Sequence, residues 1–215
     1  ADKDGQAAQA VAAAIRETGR AASAVTVDVC SSGAVRQMVS RTLQESGRID
    51  VLLHCAGIAR GPEQWGGEDW KPMEEISEND WDLVVGVNLK GTFLCNQAVG
   101  RAMIAGGGGK IINVGSISGV VANRGLLGHG PYCASKAAVI QLTKVLAMEW
   151  ARYHINVNCI SPGYMETPMV ERVKKNLPQV HRLQLEMTPM NRFGQPAEFS
   201  SAALFLACAD SDYLT

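Results

Sequence analysis

Short apolar and β-branched runs alternate with helix-patterned stretches along this 215-residue chain, and that alternation leaves few folds open. The runs are Ala24-Val25-Thr26-Val27-Asp28-Val29, Ile49 to Gly57, Ile111-Ile112-Asn113-Val114 and Ile155 to Ile160. Between them lie helical patterns. Residues 4–18 carry Ala7, Val11 and Ile15 at steps of four and stop at Thr18-Gly19. Ser31-Ser32 can cap a second helix striped by Val35, Met38, Val39, Thr42 and Leu43, with Gly47 as its stop. Ser77-Glu78-Asn79-Asp80 opens a long helix with Trp81, Val84, Val85, Leu89 and Leu94. Apolar strands separated by helices bury both sheet faces only in an α/β architecture: a doubly wound parallel sheet in three αβα layers. In such sheets ligands sit beyond the carboxyl ends of the strands.

One such end concentrates chemistry. Asn113-Val114-Gly115-Ser116-Ile117-Ser118-Gly119 leads through a glycine-rich loop to Pro131-Tyr132-Cys133-Ala134-Ser135-Lys136, which opens an apolar helix. Tyr132 and Lys136 lie slightly more than a turn apart and share a face. A phenol titrates near pH ~10, too high for proton exchange at neutrality. An ammonium about 4 Å away, at an effective dielectric of ~20, favours the phenolate by roughly 4 kcal/mol. That is about three pKa units, which brings the phenol into the range of general acid–base catalysis. Taken alone, Tyr-x-x-x-Lys is common, and a tyrosine at a helix start can be a half-buried packing residue. The Gly106–Gly109 run precedes a strand rather than a helix, so it is a turn and not a phosphate cradle.

With its strand-end serine and small Cys-Ala-Ser spacer, the segment resembles the active site of the short-chain dehydrogenase/reductase family. The resemblance implies a Rossmann-like, NAD(P)-dependent oxidoreductase interconverting a secondary alcohol and a ketone. It makes Tyr132 the general acid/base and Lys136 the group that holds the nicotinamide ribose. Ser116 orients the substrate oxygen, with Ser118 as second choice, and Tyr164 faces the substrate. Asn88, in Val87-Asn88-Leu89-Lys90-Gly91, matches the asparagine that helps hold a relay water; a plain helical asparagine bonding backbone remains the other reading. Asp28 and Val29 fall at the adenine, Cys55-Ala56-Gly57 along the ribose, and Pro162, Gly163, Met165 and Thr167 at the nicotinamide. Asp2 favours NAD, with NADP as the alternative because Lys3 stands beside it. His54-Cys55-Ala56-Gly57 departs from the family's Asn-Asn-Ala-Gly, and His54 reads as a strand histidine with a local partner, not a ligand or base.

The stretch from Ile160 to Met169 looks most like the sugar, polyol and sugar-acid dehydrogenases of the family; 3-oxoacyl-thioester reductases share most of these motifs. A catalytically silent binding protein on the same fold is the reading from another class. Residues 168–190 match the substrate lid, and a loop over 58–76 bearing Trp65 and Trp70 can wall a pocket or pack on a neighbouring subunit. The resemblance further implies that the helix from Tyr132 and the helix carrying Asn88 pack on their copies in a neighbouring subunit, which gives a homo-oligomer, a tetramer or dimer. All 215 residues read as one domain that begins and ends inside the family's pattern, without its glycine-rich opening or last strand.

Composition narrows the partners. A formal net charge of −1 gives no electrostatic case for nucleic acid or an anionic membrane. No apolar run approaches the ~18 residues of a membrane span. The six cysteines are scattered singly, without metal or redox spacing, so no metal is expected and a reducing cytoplasm is.

Overall fold

The structure, a computed structural model, describes residues 1–59, 71–122 and 128–215. The expected loop with Trp65 and Trp70 lies mostly outside these residues. In chain order the elements are α1 (Gly5–Glu17), α2 (Ser32–Ser46), β1 (Val51–His54), α3 (Glu78–Val85), α4 (Gly91–Gly106), β2 (Gly109–Val114), α5 (Gly130–Trp150), β3 (Ile155–Ile160), α6 (Pro168–Asn176), α7 (Pro178–Glu186) and α8 (Pro196–Ala207). The strands form a parallel sheet in the order β1-β2-β3, with Leu52 opposite Ile111 and Ile111 opposite Val157.

One face of the sheet is covered by α2, α4 and α5, through Val39, Val99, Met103, Leu146 and Ala147 packed on Ile111, Ile155 and Val157. Side chains alternate along a strand, so Ile112 points to the opposite face, where α8 packs on β2 and β3. This is the expected doubly wound layering.

Three local expectations change. Ala24–Val29 is not a laddered strand: only Thr26 bridges to Asp2, held by Asp2 N–H to Val25 O and Val27 N–H to Asp2 O. The strand at 51–54 is not buried on both sides. Val51 and Leu53 share the face of Lys110 and Ile112, and there they stay 39% and 42% exposed. In α1 the stripe Val11 and Ile15 faces out, and the buried side is Ala8 and Ala12, packed on Ala22 and Ala24. Alanines let that helix lie close to a two-residue bridge; larger side chains would hold it away.

Caps fall where the sequence puts them. Ser31 accepts from Ala34 N–H and Ser77 from Asp80 N–H, while Gly47 ends α2 in the left-handed region at φ 76°. The long helix expected from Ser77 is interrupted: Gly86–Lys90 form a π turn between α3 and α4, with Asn88 inside it. Among the described residues no helix is long and apolar enough to cross a membrane.

Candidate active site

β2 ends at Val114, and the chain turns at Ser116 into a single 3-10 turn, Ile117–Gly119. Ser116 Oγ accepts from Ser118 N–H at 3.1 Å, which fixes the hydroxyl at the strand end. The turn lies directly on α5: a Cβ on Gly119 would come within 2.7 Å of the Lys136 carbonyl carbon and the Ala137 nitrogen. Only a glycine allows that approach, and it sets Ser116 on the same cavity wall as Tyr132. Lys136, 5% exposed, donates from Nζ to Val114 O at 2.7 Å and sits 5.7 Å from the centre of the Tyr132 ring.

The electrostatics differ from the expectation. Burial pushes the Tyr132 hydroxyl above its ordinary value; the Ser116 hydrogen bond pulls it down, and the neighbouring Cys133 pushes it up. The Lys136 ammonium, held on a backbone carbonyl, is not among the groups that move it. Burial also lowers the lysine's own value, with Cys159 and Cys55 acting in the opposite sense.

Asn88 joins this group from beneath. Its Oδ1 accepts from Ile58 N–H at 2.8 Å, while Nδ2 donates to Ile58 O at 2.9 Å and to Ser135 Oγ at 3.0 Å. The side chain thus ties the turn after β1 to α5. Asn88 Oδ1 and Lys136 Nζ each lie 3.4 Å from the point where a side chain on Gly57 would begin.

Above these residues opens a cavity of about 310 Å³, lined by Ser116, Ser118, Tyr132 and Lys136, by Cys55 and Gly57, and by Pro162, Gly163, Tyr164, Met165 and Thr167. Eleven of the sequence-derived site residues therefore meet on one surface. Ala56 and Asn88 do not line it, and Asp2, Asp28 and Val29 fall outside it, near the bridge between Asp2 and Thr26. There Asp2 accepts from Asp4 N–H, and Asp28 accepts from Cys30 N–H and stands 3.9 Å from Lys3 Nζ.

The Pro162–Thr167 strip suits a flat heteroaromatic ring. A Cβ on Gly163 would meet nothing closer than Ile117 Cδ1 at 4.0 Å, so the glycine presents bare backbone to open space. The Met165–Gly194 bridge runs through Tyr164 O and Glu166 N–H and does not use the amide of Met165 itself. Thr167 caps α6 by accepting from Val170 N–H. Nicotinamide, a planar ring with a carboxamide, fits this backbone surface beside Tyr132.

Two lining residues with polar side chains were not anticipated. His129, at the start of α5, packs tilted against Tyr132 at 4.7 Å between ring centres. Its position three residues before Tyr132 is a helical-spacing signal that could have revealed it. Gln184 reaches the cavity from α7, and nothing local in the sequence marks it. His54, 6% exposed at the end of β1, lacks the local partner expected of it at Nε2.

A family model described as enoyl-(acyl carrier protein) reductase matches residues 1–215. An NAD-dependent glycerol dehydrogenase of Listeria innocua is 38% identical over 192 residues, 89% of this chain and 70% of that protein. A 3-oxoacyl-[acyl-carrier-protein] reductase of Thermotoga maritima is 38% identical over 189 residues, 88% of this chain and 71% of that one. The solved structure of a gluconate 5-dehydrogenase from Burkholderia cenocepacia, in complex with NADP and tartrate, superposes with a TM-score of 0.88 at 35% identity, covering 100% of this chain and 79% of that one. With its full length matched by a family model, and with a strand-end serine set against a Tyr-x-x-x-Lys helix, the chain belongs to the short-chain dehydrogenase/reductase family.

Proposed function

We propose that the protein is an NAD(P)-dependent oxidoreductase that interconverts a secondary alcohol and a ketone, on a substrate of the sugar, polyol or sugar-acid type. The observation that carries this reading is that Ser116, Tyr132 and Lys136, the last two one helical turn apart, line one cavity together with Pro162 and Gly163. The nicotinamide cofactor, when bound along Pro162–Thr167, supplies or accepts the hydride. Ser116 and Tyr132 hold the substrate oxygen between their hydroxyls. In reduction Tyr132 gives its proton to the ketone oxygen; in oxidation it takes one from the alcohol. Burial keeps the phenol protonated at neutral pH, which suits the donor role. Lys136 is the cation that balances the phenolate left behind and holds the ribose, and Asn88, across Gly57 from it, anchors the proton relay.

Asp2 would meet the ribose 2′-hydroxyl, with Asp28 at the adenine, and Lys3 is drawn toward Asp28, which supports NAD with NADP as the alternative. A homo-oligomer, tetramer or dimer, in a reducing cytoplasm belongs to the same reading. Its supports are the exposed apolar Phe93, Val145 and Met148 on α4 and α5 and the six free cysteines.

The test is Tyr132→Phe in the intact enzyme. Turnover, followed by nicotinamide absorbance, should fall by roughly 10²- to 10⁴-fold while cofactor still binds. Near-normal turnover would remove Tyr132 from its role. No absorbance change with any alcohol or ketone in the unmodified enzyme would favour the silent binding protein.

A further inference from the structure

We infer that Gln184 and the Tyr164 hydroxyl form a hydroxyl-reading subsite, so that the substrate is a neutral molecule with at least one hydroxyl beyond the carbon that reacts. This rests on the oxidoreductase reading above and narrows its substrate class.

Gln184 is 5% exposed and lines the same cavity as Tyr132. Its Oε1 is buried with no hydrogen-bond partner, and so is the hydroxyl oxygen of Tyr164 on the facing strip. Folded chains rarely leave a buried polar atom unpaired. Two of them on one cavity mark places where a ligand completes the bonding. Both are set by the same packing: His181, one turn before Gln184 on α7, packs tilted against Phe193 at 4.8 Å, and Phe193 stacks on Tyr164 at 5.5 Å. The two groups therefore keep a fixed relation to each other and to the Pro162-Gly163 floor.

Their chemistry selects the ligand. A carboxamide oxygen accepts and its nitrogen donates, and a phenol does both. An alcohol hydroxyl, donor and acceptor at once, pairs with either end of the amide and with Tyr164. A carboxylate only accepts, so it can meet the amide nitrogen or the phenol but offers Oε1 no proton, and its charge would need a cation here. Among the described lining residues Lys136 is the one cation, already bonded to Val114 O, and there is no arginine to meet an acid group. An acyl thioester fares no better, because an alkyl chain against Gln184 leaves the amide buried and dry. The fit is to a neutral polyol and its keto form.

The test compares substrates rather than total activity. The intact enzyme, Gln184→Met and Tyr164→Phe are assayed with NAD and NADP on glycerol, threitol, xylitol, galactitol, 2-butanol, gluconate and an acetoacetyl thioester. The unmodified enzyme should favour a polyol over 2-butanol and over gluconate. In each variant the ratio of kcat/KM for the best polyol to that for 2-butanol should fall roughly 10- to 100-fold, mainly through KM. An equal loss on both substrates overturns the inference, as does an unmodified enzyme that prefers gluconate or the thioester. If Gln184→Met does not fold, Tyr164→Phe, which deletes one oxygen, decides by the same ratio. An unmodified enzyme inert on the whole panel overturns the oxidoreductase reading itself; an active one without hydroxyl selectivity overturns this inference alone.

Discussion

His54 places an imidazole inside the sheet at the end of β1, where burial and the Lys136 ammonium lower its pKa to about 4. In the unfolded chain it returns to about 6.5. Between these values the unfolded state binds the extra proton, so the contribution of His54 to stability is intact above pH 6.5 and is lost as pH falls toward 4. The loss reaches about 3 kcal/mol at the acid end. Denaturant unfolding of the intact enzyme at pH 7 and pH 4.5 should show this decline, and His54→Asn should flatten it. Parallel declines in the two proteins would mean that His54 is not the group responsible. The same burial logic acts on Tyr132, where desolvation outweighs the neighbouring hydrogen bond. Sequence spacing could place Lys136 on the same helical face as the phenol. It could not show the ammonium anchored on the Val114 carbonyl, because that bond joins a helix to a strand.

Among the elements, the turn Ile117–Gly119 and helix α5 act as one unit. Gly119→Ala puts a methyl group 2.7 Å from the α5 backbone at Lys136 and Ala137, where no flexible side chain can yield. The turn must then shift outward and carry Ser116 away from Tyr132. Overpacking of this kind costs about 1–3 kcal/mol. A thermal melt should show the loss, and kcat should fall at least roughly tenfold, with cofactor affinity weakened as well, since Ile117 N–H donates to Pro162 O at 3.0 Å and a shifted turn pulls on the Pro162–Thr167 strip. Unchanged kcat with lowered stability would separate the turn from the chemistry. Helix existence was legible in the sequence because caps such as Ser31, Ser77 and Gly47 act locally. Which side of a helix is buried was not. In α1 the step of Ala7, Val11 and Ile15 suggested one face, and packing against Ala22 and Ala24 chose its neighbour. The π turn at Gly86–Lys90 was likewise hidden, because Asn88 is held there by the distant Ile58 and Ser135.

At the scale of the molecule, the cluster of Ser116, Tyr132 and Lys136 was readable because it lies within a single stretch, a strand end and one helical turn. Gln184 was not, because only the Tyr164–Phe193–His181 packing brings α7 to the cavity. The same limit applies to surfaces, where an apolar position counts as exposed only once its neighbours are known. On α5, Val145 and Met148 sit three residues apart on one face and are 42% and 84% exposed; Phe93 on α4 is 42% exposed. If the proposed homo-oligomer packs through α4 and α5, these exposed apolar side chains are ones a second copy of the chain would cover. Burying a methionine side chain contributes about 1.5–3 kcal/mol, and a glutamate there would be a buried charge without a partner. Met148→Glu should therefore weaken self-association of the intact enzyme at least roughly tenfold, seen by light scattering over a dilution series, with helix content unchanged. An assembly that dilutes out at the same concentration with and without the substitution would place the subunit contact elsewhere on the surface.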